Sequence, residues 1–356
     1  HLEIEEVVGV LRRRGRVRRV HDHATIGEKL LIEYEAKKTQ EVLLKATSHL
    51  NESFDVTLSV EKRLALARMN SEVARQARAV SAFDVAHHFA DKGIGALVGL
   101  EEKEHSDLYF DLKLIIAECI FLKGELKEAA EIFSKLEKIR VLNTKKASLY
   151  IVYMDLLHTT SDFRSVLIFG RKALALFGIQ LPHKIKKIRI IWNILLTQIK
   201  LKKIGIDNVA KIKRVEDQKV ALIQEIYARI GSAGYFFDKP FYAYSVIKIM
   251  RFMLIYGANP SAASTAIFYS VFIAHKFNKY EENFRLALKC QELYERLDGI
   301  PNSGRGIFGL GGFMLPWVRP LSEAIETLDR VFVQLKRLGD PVISNFVSLY
   351  ISTLRF

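Results

Sequence analysis

Between Glu28 and Lys92 the sequence holds neither glycine nor proline, and all seven prolines lie at or beyond Pro182. Proline breaks helix interiors and glycine weakens them, so a stretch of this length can carry long unbroken helices. No segment sustains the period-two alternation of a half-buried strand. The expected class is all-α.

The helical period is explicit in the middle of the chain. Leu108, Leu112, Ile115, Ile116, Cys119 and Leu122 recur at spacings of three and four and form one apolar stripe. Gly124 interrupts, and Leu126, Ala129, Ala130, Phe133 and Leu136 form a second. Two amphipathic helices joined by a glycine turn predict an antiparallel hairpin, and neither helix can bury its whole face alone. The Gly124-Glu125-Leu126 turn has counterparts at Ser161-Asp162-Phe163, Lys239-Pro240-Phe241, Lys279-Tyr280 and Arg319-Pro320-Leu321, with a worn copy at Lys203-Ile204-Gly205. Such spacings, near 40 residues, are those of stacked helical repeats. In the clearest repeat, Ala117, Gly124, Ala129 and Phe133 stand where a tetratricopeptide pattern wants small, turn, small and aromatic residues. The predicted fold is an α-solenoid of tetratricopeptide-like antiparallel hairpins, a right-handed superhelix of about 14 to 16 helices.

Four regions are expected: a basic N-terminal segment at 1–22, a helical-repeat array at 23–298, a Gly/Pro loop at 299–320, and a closing helix pair at 321–356. The closing pair reads as continuing past Phe356, as in a piece of a longer protein. Asp22 is expected to cap a helix beginning near Ala24.

The net charge of +14 is concentrated in two places. Arg12, Arg13, Arg14, Arg16, Arg18 and Arg19 follow one another with no acid between them. Lys184, Lys186, Lys187, Arg189, Lys200, Lys202, Lys203, Lys211, Lys213 and Arg214 form the second stretch, with Asp207 as its only acid. Together these stretches account for the whole surplus. The second interleaves with Ile185, Ile188, Ile190, Ile191, Trp192, Ile194 and Leu195. It is a candidate contact surface for an acidic partner, a phosphate backbone or an anionic membrane. The arginine run lacks interleaved aromatics for stacking on bases, which weakens a nucleic-acid reading there.

Catalytic signals are weak. Gly304, Gly306 and Gly309 spell GxGxxG, but Gly-Ile-Pro-Asn-Ser precedes them instead of a strand, so the motif reads as an inter-helix loop. No GxxxxGK[ST] occurs. His21, His23, His87 and His88 carry no metal-ligand spacing, and adjacent helical positions point about 100° apart. No catalytic, cofactor or metal residues are assigned. Cys119 and Cys290 are too few for a disulfide framework and fit a reduced, cytoplasmic setting. No stretch reaches the length of a membrane span, since Ile188 to Ile199 is interrupted by Arg189, Asn193 and Gln198.

Several segments, in order, resemble a known family. His23-Ala24-Thr25-Ile26-Gly27 with Leu30-Leu31 looks like an H-x-x-I-G-x-x-L-L helix, and His49-Leu50-Asn51 like its H-L-N. Arg63, Asn70, Arg75, Ala77, Ala82-Phe83 and Phe89 follow its R-x-x-L-A-x-L-N…R-x-A…A-Y pattern. Leu176 to Pro182 is similar to L-L-G-I-x-L-P. Trp317, Pro320, Gly339 and Asp340 complete the series. The family is that of large signalling proteins joining a Ser/Thr-kinase-like domain, an AAA/STAND-type ATPase, a helical-repeat region, a GAF domain and a sensor histidine kinase. Ala74 departs from its glycine, and the serine before its Ala-Tyr is replaced around Val80. The resemblance implies a non-enzymatic regulatory arm whose partner is a protein or its own upstream ATPase. Two alternatives stand beside it: a helical-repeat nucleic-acid binder and the arm of a STAND-type transcriptional regulator.

Overall fold

A computed structural model describes residues 2–54, 58–100, 102–298, 304–338 and 341–355, with side chains described for 20–54, 58–100, 106–298, 305–336 and 343–355. Every regular element among these residues is helical, and one isolated bridge joins Arg214 to Ala258. The chain forms two compact units, His1–Lys145 and Lys146–Phe356.

The first unit contains α1 (Leu2–Lys37), α2 (Gln40–Glu52), α3 (Val60–Ala79), α4 (Phe83–Leu97), α5 (Glu102–Leu122) and α6 (Leu126–Lys138). Each helix packs on the next, and α3 also reaches α5. The predicted stripe supplies the core: Leu112, Ile115, Ile116 and Cys119 of α5 are buried with Ala129, Phe133 and Leu136 of α6. One expectation fails here. Since α1 runs unbroken through 22–24, Asp22 lies inside a helix and caps nothing, and residues 2–22 belong to the same helix as the residues up to Lys37. The arginines Arg12 to Arg19 lie on α1, and their side chains fall outside the described residues.

The second unit holds α7 (Asn143–Thr159, whose first turn straddles the boundary), α8 (Phe163–Ala175), α9 (Lys187–Ile204), α10 (Gln218–Phe237), α11 (Lys239–Tyr256) and α12 (Pro260–Phe277). It continues with α13 (Tyr280–Arg296), α14 (Gly304–Phe313), α15 (Leu321–Leu338) and α16 (Pro341–Arg355). From α10 to α13 consecutive helices pack in order, but α8 packs on α10 while α9 lies on α11. Asp217, Asp238 and Asn259 accept the first free N–H groups of α10, α11 and α12, and Pro240 and Pro260 occupy first-turn positions where their missing N–H costs nothing.

One turn recurs. Ser81, Gly124, Ser161 and Asn278 all adopt positive φ, between 53° and 91°. The residue after each donates its N–H to the carbonyl five positions back, as in Glu125 to Ile120 (3.1 Å) and Asp162 to Leu157 (2.9 Å). Ala82, Glu125, Asp162 and Lys279 then share ψ near 65°. This is the Schellman closure of a helix, and among the described residues it leads directly into the next helix at these four places. Ser81 was not legible as a turn. Lys239-Pro240 turns differently, with Asp238 extended at φ −150°.

The stretch expected as a loop at 299–320 holds a helix instead. Residues 304–313 form α14, and Leu315–Trp317 form a short 3-10 turn. Its glycines are sites of close packing. A Cβ on Gly306 would stand 2.8 Å from Ile267 and Ser264 of α12, and one on Gly309 would stand 2.9 Å from the Phe268 ring. The Gly306 N–H also donates to Ser264 Oγ at 3.0 Å. Tertiary packing here outweighs the poor helix propensity of glycine.

Candidate functional site

The basic residues singled out in the sequence separate into two groups. Lys184, Lys186, Lys187, Arg189, Lys202 and Lys203 are exposed on or just before α9, and Lys200 is half-buried. Lys211 ends a 3-10 segment at Ile206–Lys211, and Lys213 and Arg214 follow it, tied into the fold through the Lys213 backbone and the Arg214 side chain. Arg214 donates to the Leu297 carbonyl (2.8 Å) and to Asp298 (2.5 Å), and the Lys213 carbonyl accepts from Ala258 N–H (3.0 Å). Glu216 and Asp217 line the same depression, so that region carries mixed charge.

α9 is inside out. Its inner face against α11 carries Asn193 and Thr197, which satisfy themselves on helix carbonyls four residues back, together with Leu201 and the half-buried Ile190, Ile194 and Ile204. Its outer face carries Ile188, Ile191, Trp192, Leu195 and Ile199, each between 48 % and 69 % exposed. At 100° per residue these five positions fall on one stripe opposite the buried face, extending about 16 Å along the axis. A helix packed by one face ordinarily turns its apolar side inward. Here the larger apolar side faces out.

Where they pack on each other, α9 and α11 bring three cations together. The Arg189 guanidinium lies 5.9 Å and Lys248 Nζ 5.4 Å from the Tyr244 ring centre, and Arg251 Nη1 reaches Asn193 Oδ1 at 3.5 Å. Among the described residues no carboxylate pairs with any of the three. Burial, then the charges of Arg251 and Arg189, push the Lys248 ammonium below its ordinary range. Lys248 and Arg251 went unread in the sequence, where they are single basic residues inside an apolar run. Only the packing of α9 on α11 gives them meaning.

A second feature of this unit is an aromatic cavity of about 300 Å³ between α10, α11, α12, α14 and α16. Tyr235, Phe236, Phe268, Phe308 and Tyr350 line it, and Arg305 enters to meet Ser232 Oγ at 3.2 Å.

Several of the residues that carry the family resemblance meet in the first unit; residues 176–182, Trp317 and Pro320 belong to the second, and Gly339 and Asp340 lie outside the described residues. His23 and His49 join Nδ1 to Nδ1 at 2.9 Å, and Asn51 and Asn70 exchange amide hydrogen bonds at 2.8 Å. Arg63 donates to the carbonyls of Ala96 (3.1 Å) and Val98, closing the end of α4. These motifs are interhelical fasteners. His23, His49 and His88 border one shallow depression, but no group of three or more His, Cys, Asp or Glu among the described residues is disposed to hold a metal. Burial pushes the thiols of Cys119 and Cys290 up to about 11 and about 12, which makes them poor nucleophiles.

No helix among the described residues is long and apolar enough to cross a membrane. No family model matches the chain, and no curated protein matches it.

Proposed function

We propose that the chain is a non-enzymatic, tetratricopeptide-like α-solenoid acting as the regulatory arm of a multidomain signalling protein. The observation that carries this reading is the recurring turn at Ser81, Gly124, Ser161 and Asn278. Repeated use of one closure gives these helix pairs a similar internal connection, as in the like helix pairs that an α-solenoid stacks into a superhelix with a face for partners. The ordered resemblance to the helical region of ATPase–GAF–histidine-kinase proteins supplies the context, and a cytoplasmic setting goes with it. The arm would bind a protein partner, or the ATPase module before it, and change output through that contact.

The test is ATP turnover by a protein carrying that upstream module, with this chain attached and with it removed. A regulatory arm predicts a several-fold change in kcat, and an unchanged kcat contradicts it.

A second reading, nucleic-acid binding, is favoured by the unpaired Arg189–Lys248–Arg251 cluster. It predicts retention of duplex DNA or RNA that weakens steeply with salt. The apolar stripe beside the cluster argues against it, since a phosphate backbone offers nothing to cover Ile191, Trp192 and Leu195.

A further inference from the structure

The outer face of α9 combines two features that no single ordinary role explains. A solvated basic helix shows charge on its exposed side, and a core-packed helix hides its apolar side. α9 exposes an apolar stripe and surrounds it with cations. Lys187 stands near one end of the stripe and Lys202 and Lys203 near the other, and exposed Arg189 follows Ile188 and belongs to the Arg189–Lys248–Arg251 cluster where α9 meets α11. No acid occurs between Pro182 and Ile206.

We infer that the outer face of α9 is a peripheral docking surface for an anionic lipid bilayer, with the helix lying in the interfacial plane. The stripe would enter the boundary between headgroups and acyl chains, where Trp192 is suited by its apolar ring and polar N–H. Lys187, Lys202 and Lys203 would remain level with lipid phosphates, and Arg189, the exposed member of the cluster around Tyr244, would add a fourth cation. Charge and apolarity together select the occupant. An acidic protein surface would match the lysines but leave the stripe in water, and a second copy of this chain would bring its own like-charged lysines against these. Neutral lipid would cover the stripe but give the cations no partner. A stripe of about 16 Å is too short to span a bilayer and is compatible with lying along its surface.

The experiment uses the full chain carrying Trp317→Phe, which leaves Trp192 as its one tryptophan. It is mixed with vesicles of equal parts phosphatidylcholine and phosphatidylglycerol, and separately with phosphatidylcholine alone. The expected result is a blue shift of Trp192 emission and co-sedimentation with the anionic vesicles only, both reversed by salt. Lys187→Glu with Lys202→Glu is expected to weaken partitioning at least about thirtyfold, taking each lysine near an anionic surface at about fivefold. Leu195→Glu is expected to weaken it more than about tenfold, and Leu195→Phe to retain it. All of these side chains are exposed, and unchanged helicity by circular dichroism confirms that each variant folds. Absence of a shift with anionic vesicles overturns the inference, as does equal binding to neutral ones. Self-association without vesicle binding, abolished by Leu195→Glu, would also overturn it and assign the face to a second copy. Duplex DNA binding that is indifferent to Leu195→Glu, again without vesicle binding, would assign it to nucleic acid.

Discussion

His158 is held neutral by the fold, and this should write itself into the acid stability of the second unit. It lies on α7, is 5 % exposed, donates Nε2–H to the Arg229 carbonyl at 3.0 Å, and has the Phe163 ring against it. Burial first, and then the charge of Arg305, push its pKa down from 6.5 to about 4. The sign follows from proton counting. Between those values the unfolded chain binds a proton that the folded chain refuses, so stability is full above 6.5 and is lost as pH falls toward 4. From pH 7 to pH 5 the loss from this residue is about 2 kcal/mol, or about 4–8 °C in Tm for a unit of this size. Both tryptophans, Trp192 and Trp317, lie in the second unit, so urea unfolding followed by their emission reports on it directly. His158→Gln keeps an N–H donor and removes the titration. The variant should lose about 2 kcal/mol less than the parent between pH 7 and pH 5. An identical loss in both proteins would refute the assignment of a buried neutral imidazole.

Arg229 of α10 grips Asp155 of α7 through two bonds of 2.8 Å and Glu225 through one of 2.5 Å. Burial alone would lower its pKa, yet the two carboxylates raise it, so the guanidinium stays charged at all working pH. Arg229→Met should cost about 2 kcal/mol, less than a fully buried pair because the carboxylates keep some solvent, and pairing it with Asp155→Asn should cost less than the sum in a double-mutant cycle. In the first unit Asn70→Leu strands the amide of Asn51 and should cost about 1–3 kcal/mol by urea titration followed by circular dichroism, partly recovered when Asn51 is also changed to Leu. Cys119 and Cys290 should resist a thiol reagent at pH 8 in the native protein and both react in urea; fast native labelling of either would contradict its burial.

The helical class and the α5–α6 hairpin were legible because period and punctuation agree there: Leu112 to Cys119 and Ala129 to Leu136 alternate at helical spacing around Gly124. The recurring turn was half legible. Gly124 announces positive φ and Asn278 tolerates it, whereas Ser81 and Ser161 carry no such signature and take it from the closure around them. The glycines of α14 misled, because a glycine that lets two helices touch and a glycine that frees a loop look alike in sequence. Which face of α9 turns inward was not legible. Periodicity shows that a helix has two sides but not which one its neighbour takes, and here Asn193 and Thr197 went inward while Trp192 stayed out. Lys248 and Arg251 became part of a site only through packing across helices.

The central claim is that this chain is a non-catalytic arm set between an ATPase-type module and signalling output domains. Sequencing the coding DNA on both sides tests it most directly. The account predicts a GxxxxGK[ST] motif in the continuous frame upstream and a GAF or histidine-kinase sequence downstream. A frame that carries neither would contradict it.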